Sequence, residues 1–101
     1  MLKDSQYLGK VSNISNPYYG YRFWDETKNR YITALWDASW TTANTTAKIA
    51  TLSTADAAVT AVGIDGSYKS LEASAGAVNV TLTGAPIFIY SDHKVSVSSV
   101  N

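Results

Sequence analysis

The sequence predicts an all-β fold, an antiparallel β-sandwich of about seven to nine short strands. Three observations carry that expectation. Thr and Ser together number 23 and Tyr and Trp number 10, while Glu occurs twice and Gln once. β-Branched and aromatic side chains suit a pleated surface, and the scarcity of straight-chain helix formers leaves long helices unsupported. Apolar and polar residues alternate at period two in several segments, and turn dipeptides interrupt them at short intervals.

The elements follow in chain order. A first strand candidate lies around Tyr7 to Val11. From Tyr18 an aromatic run reaches Trp24, polar residues Asp25 to Arg30 interrupt it, and Tyr31 to Trp36 resumes, which is a hairpin signature. With Asp25 opposite Arg30, Trp24 faces Tyr31, Arg22 faces Thr33 and Gly20 faces Leu35. The opposite side then gathers Tyr19, Tyr21, Phe23, Ile32, Ala34 and Trp36, and its apolar character makes it the expected buried face. A one-residue slip exchanges the two faces.

Asp37 to Asn44 reads as a polar loop carrying one large aromatic, Trp40. Thr45 to Leu52 alternates loosely, and Ala57 to Ile64 is a further strand, although the alanines of Thr54 to Ala61 also fit one helical turn. Asp65-Gly66 suits the positive φ of a tight hairpin turn, and Tyr68 to Ala73 returns along it. Ser74-Ala-Gly76 turns the chain again. Val78, Val80 and Leu82 alternate with Asn79 and Thr81, Gly84-Ala-Pro86 leads into Ile87 to Tyr90, and Val95 to Ser98 closes the set at period two. Met1 to Ser5 and Ser98 to Asn101 are polar ends expected to be poorly ordered.

The totals bound the functional classes. A chain of 101 residues matches one domain, residues 1–101, with one core. Eight basic and eight acidic residues cancel, so neither nucleic acid nor an anionic membrane surface is an expected partner. There is no cysteine, hence no disulfide framework and no thiolate metal site. No run approaches the ~20 apolar residues of a membrane helix, and residues 1–20 lack the pattern of a secretory leader.

Catalytic chemistry finds few materials. A nucleophilic triad needs a histidine base, and His93 is the only one; it reads as a turn residue beside Asp92. Glycoside hydrolysis needs two carboxyl groups ~5 to 9.5 Å apart, but Asp25, Glu26, Asp56 and Asp65 all fall at turns, where such side chains cap their own backbone. No catalytic residue is therefore expected and no cofactor is required. One histidine cannot build a zinc site, whereas loop aspartates with backbone carbonyls can assemble a structural calcium site.

The aromatic surplus points elsewhere. Neutral polysaccharide offers flat C–H faces and hydroxyls, and its complement is a large rigid ring beside hydrogen-bonding groups. Trp24 and Tyr31, with Arg22, Thr33 and Tyr18 on the same side, form one candidate platform; the same two rings also suit packing on a second sheet. Trp40, in its polar loop, is the other exposed candidate. Trp36 shares a face with Phe23 and fits a core role, yet remains among the candidate sugar-binding residues.

Two stretches carry a resemblance: Tyr21-Arg-Phe-Trp with Ile32-Thr-Ala-Leu-Trp-Asp37, and Val62-Gly-Ile-Asp-Gly66 with Val80-Thr-Leu-Thr-Gly-Ala-Pro-Ile-Phe-Ile89. Over roughly residues 18–90 the order resembles the β-sandwich domains that accompany bacterial glycoside hydrolases, and carbohydrate-binding modules of the family 81 type in particular. That resemblance implies binding of cello-oligosaccharides and soluble β-glucans, attachment to a glycoside hydrolase catalytic domain, and a secreted or extracellular setting. The alternative it leaves open is a structural sandwich that packs against the catalytic barrel and binds no sugar.

Overall fold

The computed structural model describes residues 5–10, 18–37, 48–63 and 66–100. Among the described residues nine strands are present: β1 (Ser5–Lys10), β2 (Tyr18–Asp25), β3 (Arg30–Asp37), β4 (Lys48–Ser53), β5 (Ala58–Gly63), β6 (Tyr68–Glu72), β7 (Ala77–Leu82), β8 (Ile87–Ser91) and β9 (Ser96–Val100). They form a six-stranded sheet in the order β1-β2-β3-β8-β5-β6 and a three-stranded sheet in the order β7-β4-β9. Every pairing is antiparallel, and no helix occurs among the described residues. This is the sandwich-like all-β architecture that the alternation and turn spacing predict.

The β2–β3 hairpin has the expected register, from Tyr18 opposite Asp37 to Asp25 opposite Arg30. Its turn is locally encoded. The Asp25 carboxylate accepts a hydrogen bond from the Thr27 amide at 3.1 Å and another from Arg30 Nε at 3.2 Å. Asn29 adopts φ +51°, a left-handed conformation that asparagine tolerates better than other side-chain-bearing residues. The β5–β6 hairpin closes through Gly66 at φ +88°, whose amide donates to Gly63 O at 3.0 Å. Asp65 and Ile64 lie outside the described residues.

Two strands differ from expectation at their limits. Residues 54–57 form a bend rather than a helical turn, and β5 starts at Ala58. The Thr54 hydroxyl accepts from the Asp56 amide at 3.0 Å and fixes that bend, so the alanines meet a turn instead of a helical start. β9 runs to Val100 because it pairs with β4, which orders a segment that polarity alone marks as loose.

The principal core lies between the sheets. Leu35, Ile89, Val59 and Ala61 of the large sheet pack with Ala50, Leu52, Val78, Val80, Leu82, Val95 and Val97. Leu35, Leu52, Leu82, Ile89 and Val95 have no exposed surface, and each such side chain contributes about 1.5–3 kcal/mol through burial. The side of β3 that faces the small sheet is thus the side of Leu35 and Thr33, which is also the side of Trp24, Tyr31 and Arg22. This corrects the expected faces: the Tyr19, Tyr21, Phe23 and Trp36 side is the outer one. A smaller cluster there joins buried Ile32, Ala34, Val62 and Phe88 to Phe23, Trp36 and Tyr90. Apolarity could not separate the two faces, because a central strand such as β3 buries residues on both.

Candidate functional site

Four predicted site residues share the inter-sheet side of β2 and β3. Trp24 and Tyr31 are directly opposite, with ring centroids 4.8 Å apart in an edge-on arrangement of 64°. Both are half-buried. Arg22 is tied down rather than presented: its guanidinium donates to the Val95 carbonyl in the segment that leads into β9. The Arg22 Nε and the Thr33 hydroxyl are buried without a hydrogen-bond partner among the described residues. Tyr18 packs against the inter-sheet core. These residues are brought together, but as the rim of the core on its β2 flank.

Trp36 stands on the opposite face and belongs to a continuous aromatic band. Tyr19 and Tyr21 flank it at centroid distances of 5.6 and 5.4 Å, with planes inclined by 27° and 30°. Tyr7 of β1 continues the band, 6.1 Å from Tyr21 and 5.5 Å from Phe23. The register explains the grouping: Tyr19 is opposite Trp36, Tyr21 opposite Ala34, and Tyr7 opposite Phe23, and cross-strand partners share a face. A bulge between Tyr7 and Gly9 then sets Lys10 opposite Tyr21.

The same face continues across the sheet. Ala34 is opposite Phe88, Phe88 opposite Val62, and Val62 opposite Tyr68, so a row runs from Tyr21 to the far edge strand. Tyr68 is 80% exposed and Tyr7 55% exposed, so rings are most open at the two edges. Tyr90 is covered by Arg30, whose guanidinium carbon lies 3.9 Å from the ring centroid, a cation–π contact that also links to the Asp25 carboxylate. Among the described residues no strand lies over this face. Trp40 lies outside the described residues.

Sequence reasoning missed this band because it took the face as core. A usable signal exists in β8, where Ile87 and Ile89 alternate with Phe88 and Tyr90. The aliphatic pair faces the small sheet and the aromatic pair faces outward, which orients every neighbouring strand through its register.

Asp25 and Asp56 do structural work at turns. Asp56 binds the 91–94 turn: one oxygen accepts from the Asp92 amide at 2.8 Å and the His93 amide at 3.3 Å, and the other contacts His93 Nδ1. Partial burial acts to raise the Asp56 pKa, but hydrogen bonds from the His93 ring and the two amides outweigh it and hold the group below its ordinary value. The bond to Asp56, reinforced by the carboxylate charge, raises the pKa of the exposed His93. His93 is a turn residue as expected, but its partner is Asp56 rather than its neighbour Asp92. The Ser91 hydroxyl donates to the His93 carbonyl at 2.7 Å and is thereby directed at the backbone. Among the described residues no three His, Cys, Asp or Glu side chains gather into a cation site.

The fold and this aromatic face define an all-β, two-sheet antiparallel domain. Comparison with known protein families, curated proteins and solved structures returned no match.

Proposed function

We propose that this chain is a non-catalytic carbohydrate-binding module that recognises β-glucan chains, among them cello-oligosaccharides and mixed-linkage glucan, through aromatic rings. The observation that carries the reading is the band Tyr19–Trp36–Tyr21–Tyr7–Phe23 on one sheet face, extended towards Tyr68. Neighbouring strands are ~4.8 Å apart, close to the repeat of a pyranose unit in an extended chain, so rings on successive strands can meet successive sugars. Tyrosine hydroxyls and the nearby Lys10 supply the polar contacts that fix orientation. The resemblance to modules of the family 81 type agrees with this ligand class and implies a tethered hydrolase in a secreted protein. There the module raises the local concentration of its substrate and performs no chemistry.

Affinity electrophoresis against hydroxyethylcellulose, β-glucan, xyloglucan and mannan tests the proposal. Retardation is expected in the β-glucan gels, lost in Trp36→Ala and weakened in Tyr68→Ala, while Trp24→Ala migrates as the unaltered chain. Circular dichroism confirms that each variant is folded, and Tyr68→Ala is safe on that count because the ring is exposed. Mobility that is the same in every gel and every variant rejects sugar binding. It would favour the second reading, a sandwich packed on a catalytic barrel.

A further inference from the structure

β6 and β7 are consecutive strands, yet they belong to different sheets and each is an edge. β6 pairs with β5 on one side, β7 pairs with β4 on one side, and no described strand lies along either other margin. Between them the chain turns tightly, with Ala75 at φ +52° and Gly76 at φ +75°. Ser74 and Ala77 exchange backbone hydrogen bonds of 2.9 and 3.0 Å across that turn. Beyond this rung the two arms part, and a cleft of about 360 Å³ opens between them. Ala61, Leu71, Val80 and Ile87 give it apolar walls, while Asn79 and Thr81 stand on the β7 margin. Among the described residues Lys69 is the one charged residue lining it, and it has no carboxylate partner among them.

An edge strand offers a row of backbone N–H and C=O groups to any extended chain that reaches it. Here two edges border one cleft with apolar walls, so an inserted strand finds backbone partners on both sides and a floor for alternate side chains. A saccharide would leave the edge amides largely unpaired. We infer that the cleft between β6 and β7 accepts an extended peptide segment, which adds as a strand and places an acidic side chain beside Lys69.

Amide hydrogen exchange measured by NMR on the whole chain tests this, with two acetylated peptides of alternating Val and Thr, six residues long to match β7. One carries a central Glu and the other a central Lys. The Glu peptide is expected to slow exchange in β6 and β7 and to bind roughly tenfold or more tighter than the Lys peptide. Lys69→Glu, a change at an exposed position, should invert that preference, and Trp36→Ala should leave it intact, which separates this site from the β1–β3 part of the aromatic face, Tyr68 bordering both. Unchanged exchange with both peptides, or a preference that survives Lys69→Glu, overturns the inference. So does protection of the same amides by cellotetraose as strong as that given by the Glu peptide, since the cleft would then be a sugar subsite.

Discussion

Asp56 holds a turn through three hydrogen bonds, and its titration with His93 makes that turn sensitive to pH in both directions. The His93 pKa is raised above its ordinary 6.5, so the pair's contribution is complete below that value and is lost as pH rises through the raised one. The Asp56 pKa is lowered below 3.8, so its contribution is complete above 3.8 and is lost as pH falls through the lowered value. Asp56→Asn should therefore lower Tm most between these limits, by about 2–5 °C, and by less on either side. Thermal melts of both proteins across the pH range check this; a difference that does not vary with pH rejects it. Arg22 offers a second lesson at this scale. Its position opposite Thr33 was readable from the hairpin, but its bond to the Val95 carbonyl was not, because that partner is far away in sequence and is met only when the sheets pack.

At the scale of elements, the β2–β3 hairpin is the segment in which local chemistry decides most. Asn29 occupies φ +51°, where a Cβ-bearing residue without a short polar side chain is strained by about 1–2 kcal/mol. Asn29→Ala should lower stability by about 1 kcal/mol in urea unfolding, whereas Asn29→Gly should be neutral or slightly stabilising. Equal loss in both variants would mean that the side chain, and not the backbone angle, matters. This hairpin was also the most legible part of the sequence: the aromatic run, polar break and Asp25–Arg30 pairing specify its register without reference to the rest. Its orientation was not legible. Which side meets the small sheet depends on β8, β5 and the three strands that pack over them, and no local pattern within residues 18–36 contains that information. Consequently the alternation sets Trp24, Tyr31, Arg22 and Tyr18 on one side, and the packing of the sheets makes that side the inter-sheet flank, while Trp36 joins a band on the side that alternation assigns to the core.

For the whole molecule, the balance of charge and the placement of rings point in one direction. Formal net charge is zero, and the outer face carries its rings on β1, β2 and β3 and again on β6, with Lys10 and Arg30 beside the first group. If glycan recognition works through stacking, affinity for soluble β-glucan should change by less than roughly twofold between about 50 and about 500 mM NaCl, since no net charge is screened. Isothermal titration at both salts reads this directly, and a steep decline would implicate ionic contacts that the aromatic face does not provide. The topology also connects distant segments, with β3 beside β8 and β4 beside β9. Such long-range pairing places the folding time in the range of about milliseconds to seconds.

The irregularity in β1 has a consequence for how copies of the protein behave when crowded. By skipping Leu8, which is 42% exposed, the strand is kinked at the outer margin of the large sheet, and a neighbour's straight strand cannot zip along it. Removal of Leu8 alone would straighten that margin into a regular ladder, with Gly9 still opposite Arg22 and Lys10 still opposite Tyr21. Light scattering of concentrated samples should then rise over hours for the shortened protein and stay flat for the parent, because one surplus residue acts as a spacer against fibre growth.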